Sequence, residues 1–308
     1  MKIKKLSSII YSGVICMSLA IPSVALAAED NAGTVTSEVY GTGGAVEQSA
    51  NDINFSFESK RQSSIEAIEE YQKFFKSVEG KSFDELTTSE KENMDIYLAE
   101  FTNIIDPVPT DRITTMAYDE STFTKQLEFV LDMNAGVSAS HILDGLSASN
   151  TARSAAITYA AQNGFGTVTW DNPADALRHF SWNFIMGFTI GVADARTIAD
   201  NHELALIGAK YVATVPVSST SEKIAYATDY LPGVVSDTRA SFTSFTNTFD
   251  GSSIMDLCNN SAGRKYSLRG YSSSDAYLQA FNDAYWTDLV WYNTVSANNK
   301  ATAYSVWQ

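Results

Sequence analysis

The stretch Asp171–Asn183 reads D-N-P-A-D-A-L-R-H-F-S-W-N, and it sets the fold class. Pro173 brings the fixed φ of a first helical residue and has no N–H to lose, while Asp171 or Asn172 before it supplies an N-cap oxygen. Ala176, Leu177, Phe180 and Phe184 then recur at helical spacing, which predicts a helix running to about Phe188, interrupted by Gly187 and Gly191. On it Asp175, Arg178, His179, Trp182 and Asn183 stand three, four or seven residues apart and share one side. Asp175 reaches His179 at i,i+4 and Arg178 at i,i+3, and a carboxylate beside an imidazole fixes its tautomer and raises its basicity. Trp182 offers an apolar wall and Asn183 a neutral hydrogen-bonding group. Polar side chains held between apolar residues must be satisfied internally.

Two further strings carry the same kind of chemistry. Asp200–Glu203 reads D-N-H-E, and Met255–Arg264 reads M-D-L-C-N-N-S-A-G-R. With the first string they hold two of the chain's three histidines. His202 and Glu203 are adjacent, so on a helix they point about 100° apart and only one can aim directly at a given site. Asp256 stands three and four residues before Asn259 and Asn260, and Arg264 extends that face by one turn.

Helical spacing continues in both directions from these strings. Ile65, Ile68, Tyr71, Phe75 and Val78 predict a helix between Ser63 or Ser64 and Gly80. Met94, Tyr97, Leu98, Phe101 and Ile105 predict a second, from about Ser89 to the Asp106-Pro107-Val108-Pro109 stop. Phe123, Leu127, Val130 and Leu131 predict a third, ending near Asn134-Ala135-Gly136. Ser138–Gln162 reads as a small-residue helix closed by Asn163-Gly164, with His141 a packed or surface residue. Ala193–Val212 and Ser219–Tyr230 follow, the latter ended by Pro232-Gly233; Ser236–Phe249 is a weaker helix, and the one from Ile254 ends at Gly263. Tyr277, Phe281, Tyr285, Trp286, Leu289, Val290, Trp291 and Tyr292 predict a last helix with a broad aromatic face. No strong strand alternation or internal repeat occurs, so the expected fold is all-α.

The first residues read as a secretory signal: Lys2, Lys4 and Lys5, an apolar run, then Ala25-Leu26-Ala27 before Glu29 and Asp30. The expected organisation is a signal peptide at 1–27, a flexible acidic linker at 28–62, a helical amino-terminal region at 63–150 and a helical motif-bearing domain at 151–308. A formal charge of −15 becomes more negative still when the three lysines of the signal leave. Such a surface repels phosphate backbones and attracts divalent cations, which disfavours nucleic acid as a partner. Cys258 is then the last cysteine, so no intramolecular disulfide forms, and a small buried residue is its expected role.

Three readings of the strings stay open. In the first, His179 and His202 from different helices, with Glu203 and Asp256 or Asp175, hold a divalent metal and a hydrolytic water. The spacing is not that of a regular zinc motif. In the second, His179 oriented by Asp175 moves a proton, Glu203 or His202 acts from the other side, and Arg178 or Arg264 holds an anionic group. In the third, the residues form a buried polar network that fixes helix register. No P-loop, Rossmann glycine fingerprint or serine elbow is present.

At these residues the chain resembles a largely uncharacterised bacterial family with an N/D-x-x-D-A-x-R-H-x-x-W-N string, an H-E about twenty residues on, and M-D-L-x-N-N-x-x-G-R. All three occur in order, as Asn172–Asn183, His202-Glu203 and Met255–Arg264, within Thr167–Gly270. The resemblance implies an effector or hydrolase-like domain of secreted proteins and polymorphic toxins, and brings no assigned reaction. Its strings fall on Asp175, Arg178, His179, Trp182, His202, Glu203, Asp256, Asn259, Asn260, Gly263 and Arg264. Cys258 departs from the polar residue or histidine that the resemblance leads one to expect there, and with it goes one candidate ligand.

Together these readings favour a secreted hydrolase-like domain, metal-dependent in one version, acting on an envelope or extracellular substrate. Asp175, His179, His202, Glu203 and Asp256 are the reacting group, with Arg178, Trp182, Asn183, Asn259, Asn260 and Arg264 around the substrate. The metal set drawn from the sequence is His179, His202, Glu203 and Asp256. The rival is a non-catalytic interaction protein, with the aromatic carboxy-terminal segment as its binding face and the strings as a structural network.

Overall fold

The structure, a computed structural model, describes residues 50–105, 122–217, 219–291 and 295–308. The expected signal peptide, most of the linker, the stop at 106–109 and Tyr292 lie outside the described residues. Those described form eleven α-helices and no strand: α1 (Ala50–Val78), α2 (Thr88–Ile105), α3 (Thr122–Asn134), α4 (Ala139–Gln162), α5 (Pro173–Thr189), α6 (Val192–Val212), α7 (Thr220–Ala240), α8 (Phe242–Thr248), α9 (Gly251–Ser267), α10 (Tyr277–Ala284) and α11 (Ala297–Trp307). The all-α expectation holds. None of the described helices is long and apolar enough to cross a membrane.

The motif helix begins as its sequence dictates. Asn172 Oδ1 accepts from the backbone N–H of Ala174 at 2.8 Å and of Asp175 at 3.2 Å, with Pro173 at the first position. Asp171 takes a φ of 52°, the left-handed region, to turn the chain into this cap. α4 starts at Ser138, whose hydroxyl accepts from His141 N, and stops at Asn163 before Gly164. α6 begins after Gly191, which takes a φ of 87°.

α5 is the central element, with α4, α6, α9 and α10 packed around it. It is buried on nearly every side, and that is why its polar residues meet protein rather than water. α9 crosses it closely because two positions lack a side chain. A Cβ on Gly263 would collide with the Phe180 carbonyl oxygen and lie 3.0 Å from Asn183 Cβ; one on Gly187 would meet Ser267. Gly263 therefore does not end α9, as the sequence suggested, but lies inside it at the crossing.

Other boundaries differ from expectation for physical reasons. α1 reaches back to Ala50, into the segment read as linker, and no extended piece forms at 53–57. From Glu58 to Ser63 most residues face solvent, so no apolar stripe marked the helix, and Arg61 anchors it through a 2.9 Å ion pair to Asp144 of α4. The division expected at residue 150 falls inside α4, and buried residues from both sides of it share one core cluster. α7 runs through Pro232, because Ile224, Ala227, Leu231, Val234 and Thr238 keep one face buried at helical spacing. The aromatic segment is not one helix: α10 stops at Ala284, and the separate α11 buries Trp307, whose Nε1 donates to Thr238 Oγ1 at 2.9 Å.

Candidate functional site

α5, α6 and α9 bring the three strings together, and one chain of hydrogen bonds sets their polarity. Arg264 can only donate, and it does so to Asn183 Oδ1 at 2.5 Å. The amide of Asn183 must then present its nitrogen elsewhere, and Nδ2 donates to Asn260 Oδ1 at 2.7 Å. Asn260 thus offers a carbonyl oxygen to His179 Nδ1, 3.2 Å away, and Nδ1 must be the protonated nitrogen. A guanidinium three residues upstream in the relay decides the tautomer of a fully buried histidine.

The consequence falls on the other ring nitrogen. His179 Nε2 has its lone pair among carboxylates: Asp256 Oδ1 at 3.2 Å and Asp175 Oδ1 at 3.6 Å. Neither His179 Nε2 nor Asp256 Oδ1 makes a hydrogen bond, though both are buried. Three electron-rich atoms this close need a proton or a cation between them. Asp175, His179 and Asp256 form the one group among the described residues whose ligand atoms converge for a metal, all within 4.8 Å of one another. One neutral imidazole and two carboxylates suit a borderline or hard divalent ion such as Zn²⁺ or Mn²⁺. Asp175 is held for this role from two directions. Its Oδ2 accepts from Asp171 N at 2.8 Å, and its Oδ1 accepts from Arg178 Nε at 3.1 Å and Nη2 at 2.7 Å.

Without a cation, burial dominates the electrostatics. It lowers the His179 imidazole well below its usual range, with help from the Arg178 and His202 charges, so the ring is neutral. It raises Asp256 well above the usual carboxylate range, and the charges of Asp175 and Glu203 push the same way. Glu203 is fully buried, its oxygens make no well-formed hydrogen bond, and burial lifts its carboxyl to about 7. A carboxyl raised in the fold favours the folded state only while it stays protonated. Stability is therefore lost as pH climbs from the unfolded value of 4.5 to about 7. Glu203→Gln should match the wild type at pH 5 and exceed it at pH 8 by ~3 kcal/mol in urea denaturation with chelator present. Equal pH dependence in the two proteins would show that Glu203 is not held neutral.

The trio opens to solvent through a cleft of about 300 Å³, whose wall includes Asp175, Asp256, Arg178, His202, Arg153 and the 43 % exposed Trp170. His179 is fully buried and reaches the cleft through Asp175 and Asp256, which line it. The sequence-derived metal set is corrected here: His202 and Glu203 of α6 are not in the trio, and Asp175 is. The His202 Nδ1 is engaged 3.0 Å from Glu128 Oε2 on α3, and its ring packs edge-on against His179 and Trp182, with centroids 6.1 and 5.4 Å away. Glu203 sits behind as a buried acid.

The expected substrate-binding residues divide. Arg178 is on the cleft wall. Trp182 forms the wall of an adjoining hollow and donates Nε1 to Gly145 O at 3.0 Å. Asn183 and Asn260 are relay members beneath the site. Asn259 is corrected: it faces away and clamps the backbone of Val290, donating to its oxygen at 2.8 Å and accepting from its nitrogen at 2.9 Å. Arg264 braces the relay; burial lowers it to about 10 against the nearby Asp200 charge. Cys258 is buried, donates weakly to Asn299 O at 3.5 Å, and burial pushes its thiol up to about 12, which leaves it no nucleophile. His141 pairs with Asp194 at 2.5 Å on the surface, away from the cleft.

Sequence reasoning missed Glu128, Asp132 and Arg153. Glu128 and Asp132 are one turn apart on α3, and Asp132 Oδ1 accepts from Asn201 Nδ2 at 2.8 Å. Their i,i+4 spacing was a signal, but nothing in the sequence tied α3 to α6.

Residues 136–288 match the family model described as Domain of unknown function (DUF6973), a span that encloses all three strings. No curated protein and no solved structure gives a match.

Proposed function

We propose that this chain is a secreted hydrolase whose site is the Asp175, His179 and Asp256 trio holding a divalent cation, and that its substrate is an envelope or extracellular compound. The observation that carries the reading is the lone pair of His179 Nε2, turned by the Arg264–Asn183–Asn260 relay toward two carboxylate oxygens, with nothing hydrogen-bonded between them. A cation there would supply Lewis acidity to a substrate oxygen or a water. The chain's own residues do the rest. Asp175 is positioned by Arg178, the relay holds the imidazole, Glu203 sets a buried carboxyl raised to about 7 behind the cleft, and Arg178 and Arg153 give the wall positive charge. The leader-like start, the acidic balance and the resemblance to domains of secreted proteins and toxins support the extracellular setting.

The test is metal analysis and Mn²⁺ titration of the protein lacking residues 1–27, beside a His179→Ala variant checked for folding. It is paired with a panel of p-nitrophenyl esters, phosphoesters and glycosides assayed with and without chelator. Wild-type binding at one equivalent, lost in the variant, with chelator-sensitive turnover is expected. Negligible metal in the wild type overturns the reading.

A second reading has one observation of its own. Trp286 is 83 % exposed and packs with Tyr285 and Trp291, with ring centroids 4.8 and 5.6 Å away. An aromatic surface of this kind favours an interaction protein in which the polar relay serves only to lock α5 against α9.

A further inference from the structure

The cleft runs on past the trio, and α6 and α9 measure its length. His202, Leu206 and Lys210 stand four residues apart on α6, and all three line the cleft. Asp256 lines it from α9, as do Ser253 and, at the head of that helix, Asp250. The far ends of the two rows are tied together: Lys210 Nζ donates to Asp250 Oδ2 at 3.2 Å. Resting on the hydrolytic reading, we propose that Lys210 is a specificity-determining residue of that site, and that the substrate is an extended molecule bearing a carboxylate roughly 10 Å from the bond that is cleaved.

Two helical rulers agree on that length. At a rise of about 1.5 Å per residue, Asp250 stands roughly 9 Å along α9 from Asp256, and Lys210 stands roughly 12 Å along α6 from His202. Asp256 belongs to the trio, and the His202 ring lies 6.1 Å from that of His179. The trio therefore marks one end of the cleft and the Lys210 ammonium the other. Between them the half-buried Leu206 gives an apolar surface on which a chain can lie.

The ammonium is placed to take a substrate anion. The Lys210 and Asp250 side chains are 69 % and 58 % exposed, and a pair so exposed holds weakly. Asp250 does not depend on it for its place, because its Oδ1 caps α9 and accepts from Ser253 N at 3.0 Å. Lysine carries three donors on a flexible stem. Lys210 can therefore turn a donor to an incoming group of the kind it already holds, a carboxylate, while the cap of α9 stays intact.

Calorimetric titration of the Mn²⁺-loaded protein with linear dicarboxylates tests the distance. One carboxylate binds the Mn²⁺ and the other is left to find Lys210. Affinity should rise from succinate through suberate to sebacate. Sebacate should bind ~5-fold more tightly than decanoate, which has the same carbon chain and a single carboxylate. Lys210→Gln should reduce sebacate to the level of decanoate, with the affinities for Mn²⁺ and decanoate unchanged. Asp250→Asn keeps a capping oxygen and removes the competing charge, so it should tighten sebacate. A pair that served only to join α6 to α9 would shift both variants the same way. Sebacate no tighter than decanoate, no loss in Lys210→Gln, or weaker sebacate binding in Asp250→Asn overturns the proposal alone. Mn²⁺ that fails to bind overturns the hydrolytic reading, and the proposal falls with it.

Discussion

Asp256→Asn should weaken Mn²⁺ binding by at least ~100-fold, more than is typical for loss of an outer partner of a ligand. At the same time it should make the metal-free protein less sensitive to pH. Both effects come from one atom. Asp256 Oδ1 lies 3.2 Å from the His179 lone pair with no hydrogen bond, so in the absence of a cation the carboxyl keeps its proton. An acid whose value is raised in the fold stabilises the folded state below the unfolded value, and that contribution drains away as pH rises toward the folded one. The wild type in chelator should lose thermal stability from pH 5 to pH 8. Asparagine has no proton to lose, so its melting temperature should fall less over that range. Isothermal titration with Mn²⁺ and melting curves in chelator measure the two halves separately. Unaltered Mn²⁺ affinity in Asp256→Asn would remove this residue from the metal site.

Gly263→Ala should destabilise the fold by ~3 kcal/mol, at the upper end of the usual cost of overpacking. The added methyl meets the Phe180 carbonyl oxygen and lies 3.0 Å from Phe184 N, and backbone cannot turn aside as a side chain can. α9 would have to move off α5, and the 2.7 Å bond from Asn183 to Asn260 would stretch with it. The damage should therefore reach the His179 tautomer relay as well as the core. Two other glycines serve as controls. Gly187→Ala meets the Ser267 side chain, which can rotate, and should cost less. Gly233→Ala in α7 has nothing within 4 Å and should gain up to ~1 kcal/mol from helix propensity. Urea denaturation of the three variants should give the order Gly263, Gly187, Gly233 from most to least destabilised; a mild Gly263→Ala would mean the helices separate easily.

How far the site was legible depends on the range of the interactions. The i,i+3 and i,i+4 relations within α5 were readable, and Asp175 does meet both Arg178 and His179. Asn260, expected on the face of Asp256, meets His179 Nδ1, whereas Asn259, one residue away, does not. A step of about 100° around α9 sends it to the Val290 backbone instead. His202 was read as a partner of His179 in ligation. Its actual Nδ1 partner is Glu128, 74 residues earlier, and no spacing rule spans that distance.

Sequence alone determined the all-α class, the Pro173 start of α5 with its cap at Asp171 or Asn172, the Ser138 and Asn163 limits of α4, and the burial of Cys258, because caps and apolar periods act over a few residues. Tertiary structure decided the course of α7 through Pro232, the passage of α9 through Gly263 and the choice of Asp175 over His202 and Glu203 in the trio. Those outcomes depend on which backbone lies opposite a given residue and on which way a relay of donors and acceptors runs, and both are settled only when distant helices meet.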